Sequence, residues 1–194
     1  MKTKLLSLVA IAGLCLSVGR IHAQTSSWTI DPAHSSAGFQ IRHLGVSTVR
    51  GSITGAKGTV QLDEKEVTKS SVNATLETAT VSTSNDARDK HLKSPDFFDA
   101  AKSPQITFKS TGFSNAGGKL QMTGDLTLNG VTKPVTLNVD GPAPPQKGMG
   151  GKVISGFSAT GMIRRSEFNF GAKYPPPMLG DEVKFTIDIE IDKQ

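Results

Sequence analysis

Cysteine is almost absent: of 194 residues only Cys15 is one. It lies in a leader-like N-terminus, so the chain from Gln24 onward holds none. Disulfides, thiol catalysis, iron–sulfur clusters and thiolate zinc sites are thereby excluded from that part, and the fold must be held by its apolar core. Histidine is sparse too. His34, His43 and His91 lie far apart, with no HxH or HExxH spacing, so no metal site is expected. A GxSxG elbow, a P-loop and a GxGxxG are all missing. Asp89, Asp96 and Asp99 cluster near a helical segment, where capping and charge balance account for them. No nucleophile–base pair is visible. The expectation is a protein that is not an enzyme and carries no cofactor.

Strong charge is also lacking. The formal net charge is +5, but Lys2, Lys4 and Arg20 fall within the first 23 residues, which carry no acid. Without them the 22 basic residues become 19 against 17 acidic, a net +2. No basic cluster argues for nucleic acid, and the basic surface is too weak to predict membrane docking. Long apolar runs are confined to Leu5–Val18, shorter than the roughly 20 residues of a membrane span. With Lys2 and Lys4 before it and Ile21-His22-Ala23 after it, the run reads as a secretory signal over residues 1–23. Leu14 before Cys15 does not suit a lipid-attachment signal. Residues 24–194 are then one domain, expected to be periplasmic or secreted from a bacterium after cleavage near Ala23, with no stable membrane insertion. Oligomeric state is left open, a homodimer included.

What the chain has is alternation. Val183, Phe185, Ile187, Ile189 and Ile191 alternate with Lys184, Thr186, Asp188 and Glu190, a strand with one buried face. Leu120, Met122, Leu126 and Leu128 do the same. Asn129-Gly130 follows, then Val131, Val135, Leu137 and Val139, which is a hairpin signal. Pro134 places the second hairpin strand at an edge or bulge. Softer strands run Ser35 to Leu44, Gly58 to Leu62, Ser70 to Thr80, through Ile106 and Phe108, and Val153 to Ile163. About eight strands at close spacing suggest a sandwich or a closed barrel. Ser84 to Lys93 is charged and helix-compatible, capped by Ser84 or Asn85. Pro95 suits the first turn of a second short helix, Asp96 to Ala101.

Parity singles out candidate residues. His43 shares a face with Phe39 and Ile41. Arg165 continues the face of Phe157, Ala159, Gly161 and Ile163, and an inward arginine needs a partner. Asp89, Glu167 and a ligand oxygen are the alternatives. Phe97 and Phe98 would plug a core or close one end of a barrel. Phe168 and Phe170 share one parity, as core or as cavity lining.

Several blocks, in their order and spacing, carry a resemblance. They are Trp28-Thr29-Ile30-Asp31-Pro32-Ala33-His34-Ser35; Phe39 to Gly45; Val81-Ser82-Thr83 with Arg88 to Asp99; Pro104 to Phe108; Gly124 to Val135; and Arg165-Ser166-Glu167-Phe168. Together they span nearly all of residues 24–194, and the chain resembles the YceI-like, polyisoprenoid-binding family. Two positions depart from its pattern, Ser103 where an aromatic is common and Asn169 where Gly is usual. Asn tolerates positive φ, so the bend there can survive.

The resemblance implies an all-β fold: an extended, eight-stranded antiparallel lipocalin-like β-barrel with a short helical segment near one end. It implies a long apolar ligand threaded through the interior, a polyisoprenoid, an isoprenoid quinone or a fatty-acid-like amphiphile. On that basis Phe39, Ile41, Phe108, Leu126, Leu128, Phe157 and Phe168 line a tunnel, with His43, Phe97, Phe98, Arg165 and Phe170 as further ligand-binding candidates. The expected role is binding, storage or transport of the lipid. The alternatives are a stress-protective envelope protein whose barrel is filled by its own side chains and, less favoured, an enzyme acting on a lipid or quinone.

Overall fold

Period-two alternation shapes the described chain, residues 25–194 of a computed structural model. The expected signal segment and Cys15 lie outside the described residues. The strands are β1 (Thr25–Ile30), β2 (Ser36–His43), β3 (Ser47–Thr54), β4 (Lys57–Asp63), β5 (Ser71–Glu77), β6 (Gln105–Ala116), β7 (Lys119–Leu128), β8 (Val131–Asp140), the two-residue β9 (Gln146–Lys147), β10 (Val153–Arg164) and β11 (Leu179–Lys193). One α-helix, α1 (Asp86–Leu92), interrupts them.

Eight strands close into a ring in the order β11-β1-β4-β5-β6-β7-β8-β10, with β10 pairing back to β11 along its length. The eight-stranded antiparallel barrel is thus present. It is extended because β11 has two successive partners on one edge. Ile191 to Lys193 pair with β1, whereas Val183 to Asp188 pair with β2, and β3 continues the wall outward. The free side of β3 is tied to the segment before α1, where Ser52 and Ser82 exchange backbone hydrogen bonds of 2.8 and 2.9 Å.

Local chemistry sets the turns. Asn129 and Gly130 have φ of 51° and 73°, the two left-handed residues that a tight hairpin with the right twist requires. Asn169 also takes positive φ, 53°, so the bend expected there persists without glycine. Pro134 lies where β8 has one partner, since β8 meets β10 only over Asn138–Asp140. Asn85 caps α1 by accepting the Arg88 amide at 2.9 Å.

Two expectations need correction, and one strand was not foreseen. The second helix, Asp96 to Ala101, is a run of turns. The Ser94 carbonyl accepts the amides of Phe97 and Asp99, and Phe98 reaches back to the Leu92 carbonyl. Phe97 and Phe98 are both buried, and adjacent residues on a regular helix would point about 100° apart. The strand expected over Ser70 to Thr80 ends at Glu77, because the Thr78 hydroxyl turns to the Ser103 and Pro104 carbonyls at 3.1 and 3.0 Å. The unforeseen strand is β3, where Gly51 interrupts the apolar parity of Val49 and Ile53. Its Gly51 faces Phe39 across the ladder, and a Cβ there would stand 2.5 Å from the Phe39 ring and 2.7 Å from the Ser82 carbonyl.

The interior has two halves. Away from α1, Trp28, Ile30, Val60, Leu62, Val72, Met122, Leu137, Ile189 and Ile191 fill the barrel. Toward α1 the buried set is smaller: Ile53, Val81, Phe98, Leu128 and Phe168. Rings in this barrel lean over glycines of the neighbouring strand. A Cβ on Gly124 would meet the Phe108 ring at 2.3 Å, and one on Gly161 would meet the Phe185 ring at 2.6 Å. The glycines let the rings lie along the wall and leave the lumen open. Gly161→Ala is therefore expected to push the Phe185 ring inward and cost about 1–3 kcal/mol through overpacking. Urea denaturation measures the loss of stability; an unchanged midpoint contradicts this packing.

Candidate functional site

The open half of the barrel holds a cavity of about 430 Å³, within the usual range for small-molecule sites. Its wall is built by parity. β11 contributes Val183, Phe185 and Ile187; β2 contributes Phe39 and Ile41; β3 contributes Val49 and Ile53; β7 contributes Leu126 and Leu128. The turns after α1 cover it with Phe97 and Phe98, and the segment before β11 adds Phe170, Tyr174 and Met178. The lining is hydrocarbon and aromatic except for His43, Arg88, His91, Arg165 and Tyr174.

Nine of the twelve candidate residues lie on this cavity: Phe39, Ile41, His43, Phe97, Phe98, Leu126, Leu128, Arg165 and Phe170. His43 is exposed, at the rim. The other three pack elsewhere. Phe108 and Phe157 lie against the filled half, and Phe168 is wholly buried in the cluster beneath α1. The tunnel expected to thread the whole interior is therefore a pocket in one half of it.

Arg165 is 3% exposed and bonds to neither Asp89 nor Glu167. Nε donates to the Gly180 carbonyl at 2.8 Å, Nη1 to Phe170 and Gly171 at 2.9 and 2.8 Å, and Nη2 to Leu179 at 2.9 Å and to Tyr174. All five N–H groups of the guanidinium are thereby used. They gather the chain from Phe170 to Gly180 around one buried cation, whose pKa burial lowers from its ordinary value. Asp89 serves the other side of the cavity by accepting the Thr83 amide and hydroxyl at 2.8 and 2.5 Å.

A polar clasp joins the two segments that cover the cavity. Asp96 accepts from Lys173 Nζ at 2.5 Å and from the Tyr174 hydroxyl at 3.2 Å, and it stands 3.2 Å from His91 Nε2. Tyr174 also stacks on Phe97 with centroids 5.2 Å apart. The Lys173 bond first, then those to His91 and Tyr174, hold the Asp96 carboxyl at about 2 against an ordinary 3.8. A depressed carboxyl contributes stability above its unfolded value and loses it as pH falls through the folded one. The clasp is accordingly expected to stay closed above pH 4 and to open as pH drops toward about 2. Tyr174 fluorescence and Asp96 carboxyl NMR shifts would follow the opening; a midpoint near 4 contradicts it.

Sequence reasoning passed over Arg88, His91 and Tyr174 and every cavity residue of β3. One signal was available on α1, where Arg88, His91 and Leu92 follow i, i+3, i+4 spacing and so share a face. Elsewhere, Asp31, His34 and Glu190 bring ligand-type atoms within 4.8 Å of one another. Their geometry is that of a turn. Asp31 accepts from the Ala33 amide at 2.9 Å and pairs with His34 Nδ1 at 2.7 Å, which lowers the Asp31 pKa and raises that of His34.

The family model described as YceI-like domain matches residues 28–191. The chain is 40% identical over 190 residues to Protein YceI of Escherichia coli O6:H1, covering 98% of this chain and 97% of that one. The crystal structure of a Campylobacter jejuni YCEI protein superposes with a TM-score of 0.69 at 33% identity, over 79% of this chain and 90% of that one. A polyisoprenoid binding domain from Saccharophagus degradans shares the fold at a TM-score of 0.63 and 12% identity, over 87% of this chain and 99% of that one. With a closed barrel, a cavity beneath its covering helix and a domain match over nearly all the described residues, this chain belongs to the YceI-like family.

Proposed function

We propose that this protein binds a long-chain apolar lipid, such as a polyisoprenoid, an isoprenoid quinone or a fatty-acid-like amphiphile, and stores or carries it outside the cytoplasm after removal of residues 1–23. The observation that carries the reading is the cavity: about 430 Å³ with a wall that is apolar except for five side chains. The fold shared with a polyisoprenoid binding domain supports it. Burying each methylene is worth about 0.8 kcal/mol, so a prenyl tail can offset an association cost of roughly 4–15 kcal/mol.

The proposal is of binding without covalent chemistry. Arg165 spends its donors on carbonyls, and Asp96 is held by Lys173, His91 and Tyr174. Arg165 and Asp96 therefore serve to position chain segments. The second reading, a barrel filled by its own side chains, draws on the packed half around Trp28 and Met122.

Pickup of radiolabelled geranylgeraniol from vesicles by the full chain separates the two. Equimolar uptake is expected, with near-complete loss in Ile163→Trp, which fills the cavity from β10. Absence of uptake by the unaltered protein favours the self-filled barrel.

A further inference from the structure

Two arginines line the cavity, and their states differ. Arg165 has no donor left. Arg88, on the cavity face of α1 with His91 and Leu92, donates from Nε to the Thr83 hydroxyl at 2.7 Å and from Nη2 to the Thr83 carbonyl at 2.8 Å. Among the described residues Nη1 has no hydrogen-bond partner, and no carboxylate forms an ion pair with this guanidinium. Asp89 feels its charge, but the Asp89 carboxylate is turned to the Thr83 amide and hydroxyl. Thr83 thus fixes the fork and leaves one edge of it open beside an apolar wall.

Arg88 is half-buried at this wall, so the open edge can receive an anion at the boundary between cavity and solvent, where an ion pair is cheaper to form than one wholly removed from water. The planar fork suits two oxygens of one oxyacid. The acid on this rim that would oppose an anion, Asp96, is already matched by Lys173. We propose that Arg88 is the head-group subsite of the cavity, pairing with the anionic oxygens of a phosphate monoester or carboxylate whose apolar tail fills the pocket. The inference rests on the lipid-binding reading and adds the charge of the lipid's head. Tail burial would supply affinity common to all long chains, and Arg88 would choose among heads.

The test titrates the delipidated full chain with geranylgeranyl phosphate against geranylgeraniol, and with palmitate against hexadecanol. The anion is expected to bind about ten- to hundredfold tighter than its alcohol in at least one pair, from charge-assisted hydrogen bonds to the half-buried guanidinium. A preference confined to the first pair assigns phosphate, and one confined to the second assigns carboxylate. In Arg88→Met the preference should fall to within about threefold, read as the ratio within each pair so that any change in tail affinity common to both ligands cancels. Because Arg88 also anchors Thr83, salt is the independent readout on the unaltered protein. Anion affinity should fall with ionic strength and alcohol affinity should not. Equal affinities within both pairs, or a preference that survives in Arg88→Met, overturn the subsite. Failure of all four ligands to bind overturns the lipid-binding reading itself.

Discussion

Arg165→Ala is expected to lower stability by about 3–5 kcal/mol, a large share of the roughly 5–15 kcal/mol of an ordinary domain. Five backbone carbonyls converge on this guanidinium. Deleting it leaves them without donors, the Gly171 carbonyl buried and the other four part-buried, each at a cost of up to about 1–3 kcal/mol where water cannot enter. Relaxation of the Phe170 to Gly180 segment would recover part of that. The same relaxation would loosen Tyr174, Met178 and Leu179, which line the cavity. Arg165→Lys keeps the charge but has three donors for five acceptors. Its loss should be about half as large. Urea denaturation of both variants measures the effect. An Arg165→Ala protein that unfolds at the wild-type midpoint would show that the cation does not hold this segment.

The second large effect is on affinity. In a series of prenols, each added isoprene unit should tighten binding by about 1.5–4 kcal/mol, tenfold or more, from buried methylenes at the efficiency of ordinary ligands. The gain should then stop. The cavity is about 430 Å³, and the packed half of the barrel lies beyond it, so carbons past its capacity stay in solvent. Competition binding with graded prenols measures the slope and the plateau. Affinity that does not depend on chain length would remove the tail from the account.

Strict alternation made β11 and the β7–β8 hairpin readable, since period two with one buried face has few other solutions. β3 was hidden because its fit depends on a missing side chain: Gly51 makes room for the Phe39 ring, which no propensity records. Parity identified the inward face of most site strands but said nothing about depth along them. Phe157 and Ile163 share one face of β10, yet Phe157 packs in the filled half and Ile163 lines the cavity. Parity also turned Arg165 inward. Its partners were illegible because they are main-chain carbonyls of a turn, which have no residue-type signature. Arg88 was missed for the opposite reason. On a charged segment its presence looked like ordinary surface, and only the fold, which sets it on the same cavity as residues of β2, β3 and β7, reveals its place.

The open half of the barrel is proposed to hold a lipid. Native mass spectrometry of the full chain, recovered from bacterial cells without detergent, tests it most directly, with extraction and fragmentation of whatever is bound. One long-chain apolar lipid per protein is expected, released when the chain is unfolded and missing from Ile163→Trp. A bare polypeptide mass, unchanged after exposure to prenols, quinones and fatty acids, would contradict it.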